Sequence, residues 1–564
     1  MKAESELNFV QPINPTDIQR HQMIKLALNE GNHIEDFDDL IELLGPPKDI
    51  KTIAAPGEFK GVKVGIIGGG VSGMSAAFEL RKLGFDITIF EMQEKHIGGR
   101  VYTYYFDKNK KFYGELGAMR IPVSHETTWH YINQFNLSTR PFIGNSKNDL
   151  FYIRNKRVRN DAKGKNVMEK IYPDFKLRKW ESGKTWQELI GYGLGTYFSK
   201  ITPSLRKEIL QIKKRYSDEI QYLGSLSIRQ TLSNTGLSEG AIELISSVAP
   251  LLGSFYKNSY FEFLQEEYTV DSAYRYEIVG GLSKLPFAFY QSLTCKQPKD
   301  YYNISEKDLG RVFWKSGKTV TNVYNEESNN KVILEYKYGR NRESLREKFD
   351  FVICTIPFSS LRTVGIYPSF STEKMQAIKE LNYASAQKTI FMCNRRFWEE
   401  ADSKGKILGG ASNTDLPIQT IWYPSHNNEI KNKASSGVLL ASYNLNQDAL
   451  RIGSLSKKVR FQEIKEDVEA VHGLRKGYLD SIVEDYKTIN WDTEKGFYGA
   501  FCYYMPDQQK LFAYASVKPG FDNKVHFAGE HTSLTHAWMQ GALNSGMKAA
   551  NAIAEYCKVK DKKI

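Results

Sequence analysis

A chain of 564 residues is too long for one hydrophobic core, so two or three domains are expected. Its 41% apolar and 25% charged residues are ordinary for a soluble globular protein. The charge excess of +12, from 77 basic against 65 acidic residues, is scattered through polar stretches such as Asn155-Lys156-Arg157-Val158-Arg159 and forms no long basic run, which speaks against a nucleic-acid partner.

The longest apolar runs fall well short of the ~20 residues that span a bilayer, so no membrane partner is expected. Met1 to Glu30 lacks the basic start and apolar core of a secretory signal. Cys295, Cys354, Cys393, Cys502 and Cys557 show no C-x-x-C spacing. Reduced thiols in a cytoplasmic protein without a metal site fit them best.

Residues 1–60 read as an N-terminal arm whose short helix, Leu40 to Leu44, is stopped by Gly45-Pro46-Pro47. Residues 61–125 read as a first dinucleotide-binding unit. Lys63 to Ile67 is an apolar strand, and a helix begins near Ser72 beside Val71. Between them Gly68, Gly70 and Gly73 complete G-x-G-x-x-G. Gly68 permits the turn, Gly70 lets a pyrophosphate near the backbone, and Gly73 lets helix and strand pack closely. The helix N-terminus faces the phosphate charge. Glu91, closing the strand Asp86 to Phe90, is placed to accept hydrogen bonds from a ribose.

Residues 126–270 turn helical and polar, with helical spacing at Trp186 to Ile190 and from Leu205 to Tyr222. They form a helical lobe and part of a substrate domain. Residues 271–370 return to the nucleotide domain, with paired strands at Val320–Val323 and Val332–Tyr336 and a buried strand from Phe351 to Pro357. Residues 371–505 carry the strands of a substrate-binding domain, and 506–564 complete the nucleotide domain.

At Gly98-Gly99-Arg100 the chain resembles the flavin-binding amine oxidase superfamily, which carries a Gly-Gly-Arg turn here with its arginine close to the cofactor phosphates. Val525 to Thr532, with its Gly529-Glu530 pair, and the helix after His536-Ala537-Trp538-Met539-Gln540 resemble the family's closing segment. The resemblance implies an α/β (α+β) fold: a Rossmann-like FAD-binding domain, a substrate-binding domain with a mixed sheet, and a helical lobe. It also implies a homodimer; no cysteine or histidine sits in a pattern that compels a covalent link, so the FAD is expected to bind noncovalently. The glutamate would bind the ribityl or pyrophosphate region, and the helix would aim its N-terminus at the flavin, where developing negative charge is favoured. The backbone at Val320 would meet the adenine. Trp491 and Met539 join the cofactor set.

Gly117-Ala118-Met119-Arg120-Ile121-Pro122 resembles the G-x-M-R-[IL]-P element of L-amino-acid oxidases, whose arginine holds the substrate carboxylate. A planar guanidinium suits that group through two parallel charge-assisted bonds. The bland alternative makes Arg120 a phosphate contact or a surface ion pair. Phe397 to Glu400, Gly409 to Pro417, Trp422 to Asn427 and Gly437 to Tyr443 resemble further blocks of the same enzymes. Tyr443 would give its hydroxyl to the carboxylate. This chain holds one more residue before that tyrosine than some relatives do, so Ser442 is a rival.

Lys388 sits where the family places the lysine that holds a water against the flavin N5. A buried lysine on an apolar strand is costly without partners, which marks it as functional; a strand-edge lysine facing solvent is the alternative. Trp491 and Phe501 would wall the site, Trp538 would stand near the flavin, and the carbonyl of Ala537 would take the amine; each aromatic could equally be plain core. Glu266 aligns with the family's side-chain position, where a carboxylate would favour lysine, arginine or ornithine; a Glu-Glu pair on a solvated helix face is equally ordinary.

Together these readings imply oxidative deamination of an L-amino acid to a 2-oxo acid, ammonia and hydrogen peroxide. The competing readings are an amide-forming 2-monooxygenase, a monoamine or polyamine oxidase, and an FAD-bound interaction protein without turnover.

Overall fold

The computed structural model describes residues 10–161, 163–339, 343–400, 405–425 and 436–561; His426 and Asn427 of the Trp422 block lie outside them. The N-terminal arm opens with helix α1 (Asp17–Glu30). Thr16 caps it by accepting from the Gln19 N–H, while the Gln19 side chain returns a bond to the Thr16 N–H. Helix α2 (Phe37–Leu44) ends at Gly45. Met23, Ile24, Leu28 and Leu40 of these helices are fully buried in the main core. Arg20, 2% exposed, ties them down through Glu126 at 2.6 Å.

In chain order, the strands that frame the site are β1 (Lys63–Ile67), β2 (Asp86–Glu91), β3 (Val312–Ser316), β4 (Phe351–Cys354), β5 (Ala386–Cys393), β6 (Gly437–Leu445), β7 (Val483–Asn490) and β8 (Val525–Phe527). The first sheet is five-stranded and parallel, in the order β3-β2-β1-β4-β8. Its β1 and β4 are almost wholly apolar, as strands covered on both faces must be. Helix α3 (Val71–Lys82) follows β1 at once. Gly68 holds φ 108°, a conformation that favours glycine. A Cβ at Gly73 would stand 2.3 Å from the Gly68 carbonyl oxygen, so the packing of helix on strand needs the missing side chain.

A second, seven-stranded sheet carries β7-β5-β6 at one end and the strand pair Leu150–Ile153 and Lys156–Arg159 at the other. Lys318–Glu326 and Lys331–Tyr338 pair antiparallel, bearing out the strands expected there. The helices of the middle segment, including Trp186–Phe198 and α4 (Tyr260–Tyr268), pack into the same core.

The helical spacing over Leu205–Tyr222 does not give one helix. Helices Pro203–Glu208 and Asp218–Ser225 are separate. Glu208 accepts from the Ser217 backbone N–H and pairs with Lys213, so the first helix's last carboxylate fixes the break. No helix among the described residues is long and apolar enough to cross a membrane. The chain closes with α5 (Met539–Asp561), whose Gly546 packs on the first turn of α3.

Candidate active site

One cavity of about 560 Å³ runs between the two sheets and the helices beside them. At one end stands the turn between β1 and α3. Gly68, Gly70, Val71 and Ser72 line the cavity there, with Glu91 beyond them. Gly73 does not line it; it serves the packing of α3 on β1. The first turn of a helix leaves N–H groups without intrahelical partners. The buried Ser72 hydroxyl also lacks a partner among the described residues, so donors wait here for an anion. Glu91 accepts from the N–H groups of Gly69 and Gln93, both at 2.8 Å, which fixes its carboxylate at the rim. Val320 lines the wall nearby, beside Lys318 and Thr319.

In the middle of the cavity Gly99 and Arg100 meet Gly529 and Glu530. Arg100 donates to Glu530 at 2.7 Å and to the Ala500 carbonyl at 2.9 Å. Glu530 also accepts from the N–H groups of Cys502 and Ala537. Its carboxylate is therefore the tie that closes this wall. Trp491 donates to the Leu116 carbonyl at 3.1 Å and lines the same stretch, as do Gly117, Ala118, Met119 and Met539.

Beyond them lie the groups that can do chemistry. Lys388, 3% exposed, donates to the Gly117 carbonyl at 2.7 Å and sits 4.4 Å from the centre of the Tyr443 ring. Burial pulls its pKa down to about 7, helped by Arg120 and opposed by Glu115. Glu115, held by the Leu282 N–H and the Thr103 hydroxyl, is pushed up to about 7 by burial. A lysine that titrates near neutrality can hold or release a proton under working conditions. Arg120 lies over the rings of Trp422 and Trp538, at 5.2 and 5.8 Å. Its charge is felt by Lys388, Tyr443 and Glu266 together.

Lys388 and Tyr443 are direct partners across β5 and β6. On β5 Thr389 pairs with Ser442 and Ile390 with Leu440, leaving Ala441 as an extra residue on β6. At this bulge the two neighbours part. Ser442 is fully buried, bonds to Gln387 and stays out of the cavity, whereas Tyr443 lines it.

At the far end Phe255, Phe263, Phe501 and Tyr503 make an aromatic wall. Glu266 stands among them on α4, and its exposed side chain lines the cavity. Burial raises its pKa to about 7, with Asp271 adding to the rise and Arg120 opposing it. Ala537 holds φ 65°, which is strained for alanine, at the wall beside Trp538. Glu262, His125 and Asp271 surround this end and were not expected from sequence. Nothing in their local pattern marks them, because their partners lie far along the chain.

The family pattern described as flavin containing amine oxidoreductase matches residues 71–554. The chain belongs to this family. FAD is therefore its cofactor, and its chemistry is flavin-dependent oxidation at a CH–NH2 group. The unpartnered donors at the start of α3 fit the FAD phosphates. Similar curated proteins include YobN of Bacillus subtilis (strain 168), provisionally named an L-amino-acid oxidase, 33% identical over 86% of this chain and 93% of its own. An L-amino-acid oxidase of Bothrops atrox is 29% identical over 93% and 94%. Among solved structures, putrescine oxidase bound to putrescine matches with TM-score 0.64 at 17% identity, over 87% of this chain and 98% of the other. Cyclohexylamine oxidase from Brevibacterium oxydans IH-35A gives 0.62 at 18%, over 88% and 99%. At such identities these two share the fold alone. No group of three or more potential metal ligands occurs among the described residues of this amine oxidoreductase.

Proposed function

We propose that this flavoprotein is an L-amino-acid oxidase, converting its substrate to a 2-oxo acid, ammonia and hydrogen peroxide. The observation that carries the reading is Arg120, a guanidinium between two indoles in the same cavity as Lys388 and Tyr443. A plain amine gives such a fork nothing to bind, whereas a carboxylate takes two parallel bonds from it.

Arg120 and the Tyr443 hydroxyl hold the carboxylate, and the carbonyl of Ala537 receives the amine. That orientation supplies most of the rate a positioned substrate gains. FAD, once bound, would supply the acceptor for hydride from the α carbon and a route for the two electrons to oxygen. Lys388 holds a proton or a water at Nζ, and its pKa near 7 lets it do either. The aromatic wall keeps bulk water away. Glu266 faces the substrate side chain and favours one that ends in a cation.

Anaerobic addition of a panel of L-amino acids tests this directly. Flavin bleaching, followed in air by equal yields of oxo acid and peroxide, is the expected result. An amide product would move the protein to the monooxygenases, and bleaching only by carboxylate-free amines would move it to the amine oxidases.

A further inference from the structure

Beside Glu266 lies a second, small chamber of about 10 Å³, room for a single water. Glu262, Gln265, Thr269, Asp271 and His536 line it, and Glu266, Tyr503 and Trp538 form the wall it shares with the main cavity. Gln265 Nε2, His536 Nε2 and Trp538 Nε1 are all buried, and none has a hydrogen-bond partner among the described residues. Three such atoms on residues around one void mark a place where water belongs. The Glu266 carboxylate likewise accepts no hydrogen bond among the described residues.

The other acids are already engaged. His536 Nδ1 donates to Glu262 at 2.9 Å, and Glu262 accepts from the Tyr504 N–H at 2.7 Å. His125 Nε2 meets Asp271 at 3.0 Å. Burial opposes a charge on His536, but Glu262 outweighs it and the pKa is raised. The Ser533 carbonyl also favours the charged ring, without forming a bond to Nε2. His536 Nε2 is thus left as a donor on a residue that lines the chamber together with Glu266.

We propose that this chamber holds one ordered water, which accepts from His536 and donates to Glu266. His536 and Glu262 then become positioning residues of the substrate side-chain subsite. The subsite they serve takes side chains ending in an ammonium or guanidinium group. This rests on the oxidase reading above. Without the water the Glu266 carboxylate can turn toward the chamber donors; with it, the carboxylate stays turned to the substrate. The charged and titratable groups around Glu266 are Glu262 on its own helix, Asp271 and Arg275 after it, Arg120 and His125 opposite, Tyr443 and Tyr503 beside it, and His536 on the chamber wall.

The test joins a crystal structure of the FAD-loaded protein with kinetics on L-lysine and L-norleucine, which share a carbon skeleton and differ in the terminal amine. A water within hydrogen-bond distance of His536 Nε2 and Glu266 is expected. His536→Asn keeps a donor for Glu262 and removes Nε2. It should lower the lysine-to-norleucine ratio of kcat/KM about tenfold, mainly through the KM for lysine. His536→Gln, which keeps a donor near Nε2, should recover part of that ratio. Gln265→Met, close in volume and without the amide, guards against a folding defect in the histidine variants and should lower the ratio too. A dry chamber, or equal losses on both amino acids in every variant, would overturn the proposal. Failure of every L-amino acid to reduce the flavin would instead sink the oxidase reading, and this proposal with it.

Discussion

Arg100 and Glu530 are 430 positions apart in sequence and 2.7 Å apart in the fold. Glu530 is buried and takes two backbone N–H groups besides the guanidinium. Replacing it with alanine strands all three donors and should cost roughly 3–5 kcal/mol. Glu530→Gln keeps an acceptor and should cost less. Chemical unfolding and the FAD absorbance of purified protein check both. An alanine variant within about 1 kcal/mol of the parent, with full FAD, would show that the tie is dispensable.

Arg120→Lys preserves the charge and removes the fork. The expected loss in kcat/KM on L-amino acids is about 10²–10³-fold, the worth of charge-assisted bonds in a closed site. A carboxylate-free amine of the same skeleton should show no such loss. Equal losses on both would mean that Arg120 supports the wall and not the carboxylate.

For Lys388 the prediction concerns stability as well as rate. Burial holds it near pKa 7, while an unfolded lysine titrates near 10.4. Between those values the unfolded chain binds a proton that the folded chain does not. Lys388 therefore costs most stability at and below pH 7, and the cost fades as pH rises toward 10. Lys388→Met should gain at least about 1 kcal/mol more, relative to the parent, at pH 7 than at pH 10. Its turnover should fall by about 10²-fold or more. A stability difference independent of pH would place the lysine in water.

Glu266 titrates near 7 as well, pushed up by burial and by Asp271. Preference for lysine over norleucine should therefore rise as pH passes through 7 and the carboxylate ionises. In Glu266→Gln that rise should vanish, with the ratio about tenfold lower at pH 8. An unchanged ratio across the pH range would return Glu266 to the status of a bystander.

Ala537 carries its left-handed backbone at the cavity wall. Glycine relieves the strain but loosens the unfolded chain, so Ala537→Gly should be neutral or up to about 1 kcal/mol more stable. If the strain aims the carbonyl at the amine, KM should rise several-fold in the same variant. Destabilisation beyond about 1 kcal/mol would refute the strain argument.

The parts of the site visible in sequence are those whose chemistry is written locally. Gly68, Gly70 and Glu91 announce a turn and a strand end within a few residues, and the structure sets all three on one rim. The choice between Ser442 and Tyr443 needed the bulge at Ala441, which only the register with β5 reveals. Periodicity carried helix through Leu205–Tyr222 because it is blind to a carboxylate reaching the Ser217 N–H across a turn. The Thr16-x-x-Gln19 box of α1 is a local signal too, a capping pattern written within four residues. Glu262 and His536 lay beyond reach, since 274 positions separate the two halves of that pair.

The first sheet gains its outer strand β8 and its covering helix α5 only from residues 525–561. On a ribosome, therefore, the glycine turn emerges hundreds of residues before the wall that faces it. Cofactor capture becomes a late event, and any earlier grip on FAD has to be loose. FAD bound across both parts then holds the early and the late segments together and adds its binding free energy to the stability of the folded chain.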